Sequence, residues 1–139
     1  MNKPTLYVAL QGPLLIPSDK PHPYLEAGIA EYAKSFLSWA KEHFGVQVLT
    51  DDSLRKVHTL TEHLSLPPDA ALPRGFDFNK TDVMDPASNF YWVDSALIPS
   101  EISWLYEHKL QDRLLTVDPA VGVTPEHRRI LTHLAGLRK

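Results

Sequence analysis

The segment Thr5 to Leu15, TLYVALQGPLL, constrains the fold more than any other part of the chain. A nearly unbroken apolar run ends at Gly12-Pro13, so it reads as a buried strand emptying into a turn that needs special backbone angles. Such a strand is covered on both faces. A parallel sheet with helices on either side is the architecture that supplies that cover.

The remaining chain alternates in the way that architecture requires. After a loop marked by Pro17, Pro21 and Pro23, the apolar residues Leu25, Ile29, Tyr32, Ala33, Phe36, Leu37, Ala40 and Phe44 recur at intervals of three and four. They predict one helix from about Tyr24 to Phe44, stopped by Gly45. Val46 to Thr50 reads as a second strand, running into Asp51-Asp52-Ser53. That cluster caps a helix over about Ser53 to Leu64, which Pro67-Pro68 ends. Pro67 to Pro86 reads as a loop around a short strand near Gly75 to Phe78. Phe90 to Val93 is a β-prone run ending at Asp94, and Pro99 opens a helix over roughly Ser100 to His108. Arg113 to Val117 is the next strand. Thr124-Pro125-Glu126 then starts a helix with Ile130, Leu131, Leu134 and Leu137 on one face.

The predicted fold is therefore α/β, a three-layer sandwich with a mostly parallel, Rossmann-like sheet and helices on both faces, as a single domain over 1–139. Ligands of such folds sit at the carboxyl ends of the strands. Those ends gather Ala9, Gln11, Thr50, Asp94 and Asp118.

Composition excludes several kinds of chemistry. There is no cysteine, hence no disulfide, thiol nucleophile or thiolate metal site. The seven histidines lack ligand spacing: His58 and His63 are five apart, His127 and His133 six. With 14 Lys and Arg against 17 Asp and Glu, no basic block invites nucleic acid. The first residues lack a small-residue cleavage site, and no run approaches the roughly 18 to 20 apolar residues of a spanning helix. The expectation is a soluble, cytoplasmic protein with no membrane partner.

Five segments, in order, resemble the haloacid dehalogenase-like superfamily. Leu6 to Gly12 is similar to its first strand and turn, Val46 to Thr50 to the strand ending in a phosphate-binding Ser or Thr, and Asn79-Lys80-Thr81 to the place where a Lys approaches phosphate. FYWVDS, Phe90 to Ser95, resembles the strand whose terminal acids hold magnesium. Asp118 to Pro125 is similar to the ends of small bacterial members, including a domain of bacterial RNA-repair fusion proteins. Only about a dozen loop residues follow Gly12, and fewer than about thirty separate Thr50 from Lys80, so no cap domain is expected.

The resemblance implies a ligand site built from Ala9, Gln11, Gly12, Thr50, Asp51, Lys80, Asp94 and Ser95. The family's reaction needs one carboxylate to attack phosphorus, a second two residues later as acid and base, and magnesium held by acids. Here the two carboxylate positions are Ala9 and Gln11, and Ser95 replaces a further acid. The expectation is a catalytically inactive binding module without cofactor, holding a protein or a small anionic or phosphorylated ligand through Thr50, Lys80 and backbone N–H groups. The competing expectation is a magnesium-dependent phosphohydrolase rebuilt on Asp51, Asp52 and Asp94. Plainer roles weigh against both: Thr50 as a strand end, Lys80 as solvated surface, Asp51, Asp52 and Asp94 as caps, and Trp39, Trp92 and Trp104 as packing.

Overall fold

In the computed structural model, residues 3–137 are described except 22, 24, 26, 51–53, 65, 67–71, 77 and 78, with 54–56 and 72–74 as backbone only. In chain order the elements are β1 (Thr5–Ala9), β2 (Leu15–Ile16), β3 (Gly28–Ile29), α1 (Ala33–His43), β4 (Gly45–Thr50), α2 (Leu54–His63) and β5 (Leu72–Gly75). A 3-10 turn over Lys80–Val83 leads to β6 (Phe90–Asp94), α3 (Pro99–Glu107), a second 3-10 turn, β7 (Leu114–Thr116) and α4 (Pro125–Leu134).

The predicted α/β sandwich is the observed fold. Five strands lie in the order β5-β4-β1-β6-β7, and every neighbouring pair is parallel. The apolar run puts β1 at the centre, where both of its faces are covered. Leu6 and Val8 face one core layer with Val46, Val48 and Val93, closed by Phe36 and Leu37 of α1, Val57 and Leu60 of α2, and Leu131 of α4. Tyr7 faces the other layer with Leu49, Phe90 and Trp92, closed by Leu105 of α3. Full burial of each large apolar side chain contributes on the order of 1.5–3 kcal/mol, so these two layers carry the fold. No helix among the described residues is long and apolar enough to cross a membrane.

Register places the functional edge. Ala9 pairs with Leu49, and Val8 with both Val48 and Val93. The ends of β1, β4 and β6 therefore finish level, with Asp94 one residue beyond the Val8–Val93 pairing.

Two expectations are corrected. The first helix begins at Ala33 rather than near Tyr24, because Gly28 and Ile29 form β3, antiparallel to β2. Leu25 is buried from a turn that precedes β3, so its helical spacing to Ile29 is a coincidence of two different structures. The strand sought near Gly75 to Phe78 ends at Gly75 and starts at Leu72; residues 77 and 78 lie outside the described residues.

Candidate functional site

The site begins at the turn after β1. The Leu10 N–H still donates to Leu49 O at 3.0 Å, which holds the chain in the sheet for one more residue. The chain then bends: Leu15 N–H donates to Leu10 O at 3.0 Å and Gly12 N–H to Leu15 O at 2.8 Å. Gly12 has φ +99°, and a Cβ there would lie 2.0 Å from Ser95 Oγ. Glycine thus lets the turn adopt a left-handed angle and rest on the residue after β6. Gln11 stands exposed at the lip. From the far side Val123 N–H donates to Pro13 O at 2.9 Å, while Gly122, at φ +81°, fits against Pro13 O and Ala30. The loop before α4 buttresses the turn in this way.

Across the edge Asp94, 1 % exposed, accepts four hydrogen bonds. Its Oδ1 takes Ser95 N–H at 2.7 Å and Ala96 N–H at 3.2 Å, and its Oδ2 takes Trp92 Nε1–H at 3.1 Å and Lys80 Nζ at 2.7 Å. Lys80 Nζ also donates to Ala96 O at 3.2 Å. A second buried carboxylate sets the backbone beneath the lysine. Glu101, 2 % exposed, accepts Lys80 N–H at 2.7 Å through Oε2 and Ile98 N–H at 3.0 Å through Oε1. The one side chain caps α3 and ties it to the first residue of the 3-10 turn.

Two cavities open at this edge. One of about 410 Å³ has Gln11, Gly12, Lys80, Asp94 and Ser95 on its polar side and Leu15, Ile16, Pro17 and Ala27 on its apolar side. The other, about 120 Å³, lies between Ala9, Gln11, Leu49, Thr50, Phe76 and Lys80. Ala9, Gln11, Gly12, Thr50, Lys80, Asp94 and Ser95 therefore meet around two adjoining spaces that share Gln11 and Lys80. Asp51 and Asp52 lie outside the described residues. Asp118 lines neither space; its Oδ1 accepts Ala120 N–H at 2.9 Å within its own turn.

The plainer readings divide. Asp94 does cap the turn after β6, and it also pairs with Lys80. Lys80 is not solvated surface: its side chain is 18 % exposed. Trp92 packs, yet its indole N–H also holds Asp94. Trp92 and Glu101 are the residues that sequence reading misses. Trp92 could have been found as the same-face neighbour two residues before Asp94, and Glu101 as a glutamate at the third position of a Pro-initiated helix.

A divalent ion of the kind the resemblance implies does not fit the described residues. Asp94 has its oxygens filled by N–H donors, and the Lys80 ammonium already occupies its cation-facing side. Ala9 and Gln11 bring no charge, and no group of three His, Asp or Glu side chains among the described residues could hold a metal. Lys80 and Asp94 pair their charges, and Glu101 lies buried against the lysine's main chain, so among the described residues this edge offers hydrogen-bond donors with no unpaired positive charge. No family model matches this chain, and no curated protein or solved structure matches it significantly.

Proposed function

We propose that this protein is a catalytically inactive haloacid dehalogenase-like domain that binds a small ligand at the strand-end cleft. The observation that carries the reading is the pairing of Ala9 and Gln11, at the end of the central strand, with the Lys80–Asp94 ion pair on its neighbour. Strand order supports it: the segments resembling the family's first, phosphate-binding and acidic strands are β1, β4 and β6, and these three are adjacent. Cavity size favours a small molecule, since about 410 Å³ falls at the lower end of the ~300–1,000 Å³ of small-molecule sites. With no carboxylate at Ala9 or Gln11 there is neither nucleophile nor proton shuttle, and binding is what remains.

The double variant Ala9→Asp, Gln11→Asp tests the reading. Two acids beside Asp94 repel one another, so the variant melts below the parent in chelator and recovers selectively in magnesium, whereas the parent does not respond. A variant indifferent to magnesium refutes the alignment to this family. Phosphomonoester turnover by the parent that survives purification and is lost in Asp94→Asn refutes the inactivity.

A further inference from the structure

We infer that the space beside Ala9 receives a carboxylate carried by the ligand, whose apolar body lies in the adjoining cleft. The inference rests on the reading of this edge as a binding site and names the class of ligand. It starts from the donors. An ammonium has three N–H bonds; Lys80 gives one to Asp94 and one to Ala96 O, and keeps the third at the boundary of both cavities. Neither nitrogen of Gln11 donates within the protein among the described residues, and Gln11 also borders both spaces. The group that enters is therefore an acceptor. A charged acceptor gains most from an ammonium, because charge-assisted bonds are about twice as strong as neutral ones.

Charge balance then selects among anions. The site's one described cation is already paired with Asp94 at 2.7 Å. With Asp94 and Glu101 both buried beside a single ammonium, a phosphate ester's roughly two negative charges cost more to bring to this edge than a carboxylate's one. Ala9 presents only a methyl group to the space of about 120 Å³, which leaves room there for a carboxylate. Beyond it, Leu15, Ile16, Pro17 and Ala27 of the β2–β3 hairpin offer an apolar wall and no charge. The ligand is thus a small monocarboxylate with an apolar body.

Titration calorimetry and thermal shift on the full chain, with acetate, phenylacetate, phenylacetamide and phenyl phosphate, test this. Phenylacetate binds more tightly than acetate, for its apolar body, and at least about tenfold more tightly than phenylacetamide or phenyl phosphate. Lys80→Met lowers its affinity by about tenfold to a hundredfold. Ala9→Asp places a carboxylate of the chain in the space, and Ala9→Val fills it without charge; both abolish binding while melting cooperatively. These two variants keep the test decisive if Lys80→Met does not fold. Phenylacetate binding unchanged in both overturns the inference, as does its failure to bind. Phenyl phosphate binding as tightly as phenylacetate, and depending on Lys80, overturns the carboxylate while leaving the binding site intact. Absence of Lys80-dependent binding by every probe removes the binding reading as well.

Discussion

The Lys80–Asp94 pair lends itself to a double-mutant cycle whose size can be worked from the geometry. Lys80→Met removes a charge-assisted hydrogen bond worth about 1.5–3 kcal/mol. It also leaves Asp94, 1 % exposed, with its charge supported only by the N–H groups of Ser95, Ala96 and Trp92. Loss of one partner from a buried pair costs up to about 3–5 kcal/mol. Three surviving donors and the 18 % exposure of Lys80 keep the value near the lower end, at roughly 2–3 kcal/mol. Asp94→Asn is worse. Whichever way the amide turns, its NH₂ faces either the two main-chain N–H groups or the Trp92 indole and the ammonium, so donors meet donors and the lysine loses its counter-charge. A loss of about 3–5 kcal/mol is expected, a large share of the ~5–15 kcal/mol that keeps a domain folded. In the double variant the methionine no longer needs a counter-charge, and the total falls short of the sum by about 1.5–3 kcal/mol. Urea unfolding with an unchanged slope measures all four states. Additivity within about 0.5 kcal/mol would mean that the two side chains do not sense each other in solution, and the balanced-charge argument would collapse with it.

Two further outcomes test the supports of the site. Gly122→Ala drives a Cβ to 2.4 Å from Ala30 Cβ and 2.7 Å from Pro13 O at a positive φ, while Gly136→Ala, also at positive φ, meets nothing within 4 Å. Gly136→Ala costs only the angle, about 1 kcal/mol, and Gly122→Ala costs several times more; equal thermal shifts would refute the packing of this loop on the turn. His127 Nδ1 accepts Thr124 N–H at 3.0 Å, with Nε2 3.1 Å from Thr116 O, so one tautomer joins the start of α4 to the end of β7. His127→Ala costs about 1 kcal/mol by calorimetry, and an unchanged melting temperature would show that this cap contributes nothing.

The sheet was legible because a strand buried on both faces writes itself as a nearly continuous apolar run, as β1 and β6 do and as β4 does apart from Gln47. The hairpin was not legible. Strands of two residues, Leu15–Ile16 and Gly28–Ile29, are too short to show a period, and Leu25 and Ile29 fell by chance on the spacing of the helix that follows. At the site, parallel strands deliver their ends to one edge, so Ala9, Gln11, Thr50 and Asp94 border the same two spaces; Asp118, expected at that edge too, lines neither, and Lys80 and Ser95 entered the reading through the family resemblance and not through strand order. What the one-dimensional pattern does not carry is direction. That Lys80 turns inward to meet Asp94, instead of outward to water, depends on Glu101 holding its main-chain N–H from another element.

The presence of Lys80 and Asp94 does not by itself argue for a working site. Each buries the other's charge, and the loss of either costs stability whether or not a ligand binds, so folding alone is reason enough for both. Folding gives no such reason for the small residue at position 9. At about 24 cal/mol per Å³, an unfilled space of 120 Å³ would cost about 3 kcal/mol as an upper bound. Valine in place of Ala9 would recover part of that from a strand position whose neighbours, Leu10 and Leu49, are apolar and buried. The ion pair thus explains how the edge keeps its shape with no carboxylate at Ala9 or Gln11. The space beside Ala9, bordered by a lysine with one N–H to give and a glutamine with all of its own, is the feature that stability leaves over for binding to explain.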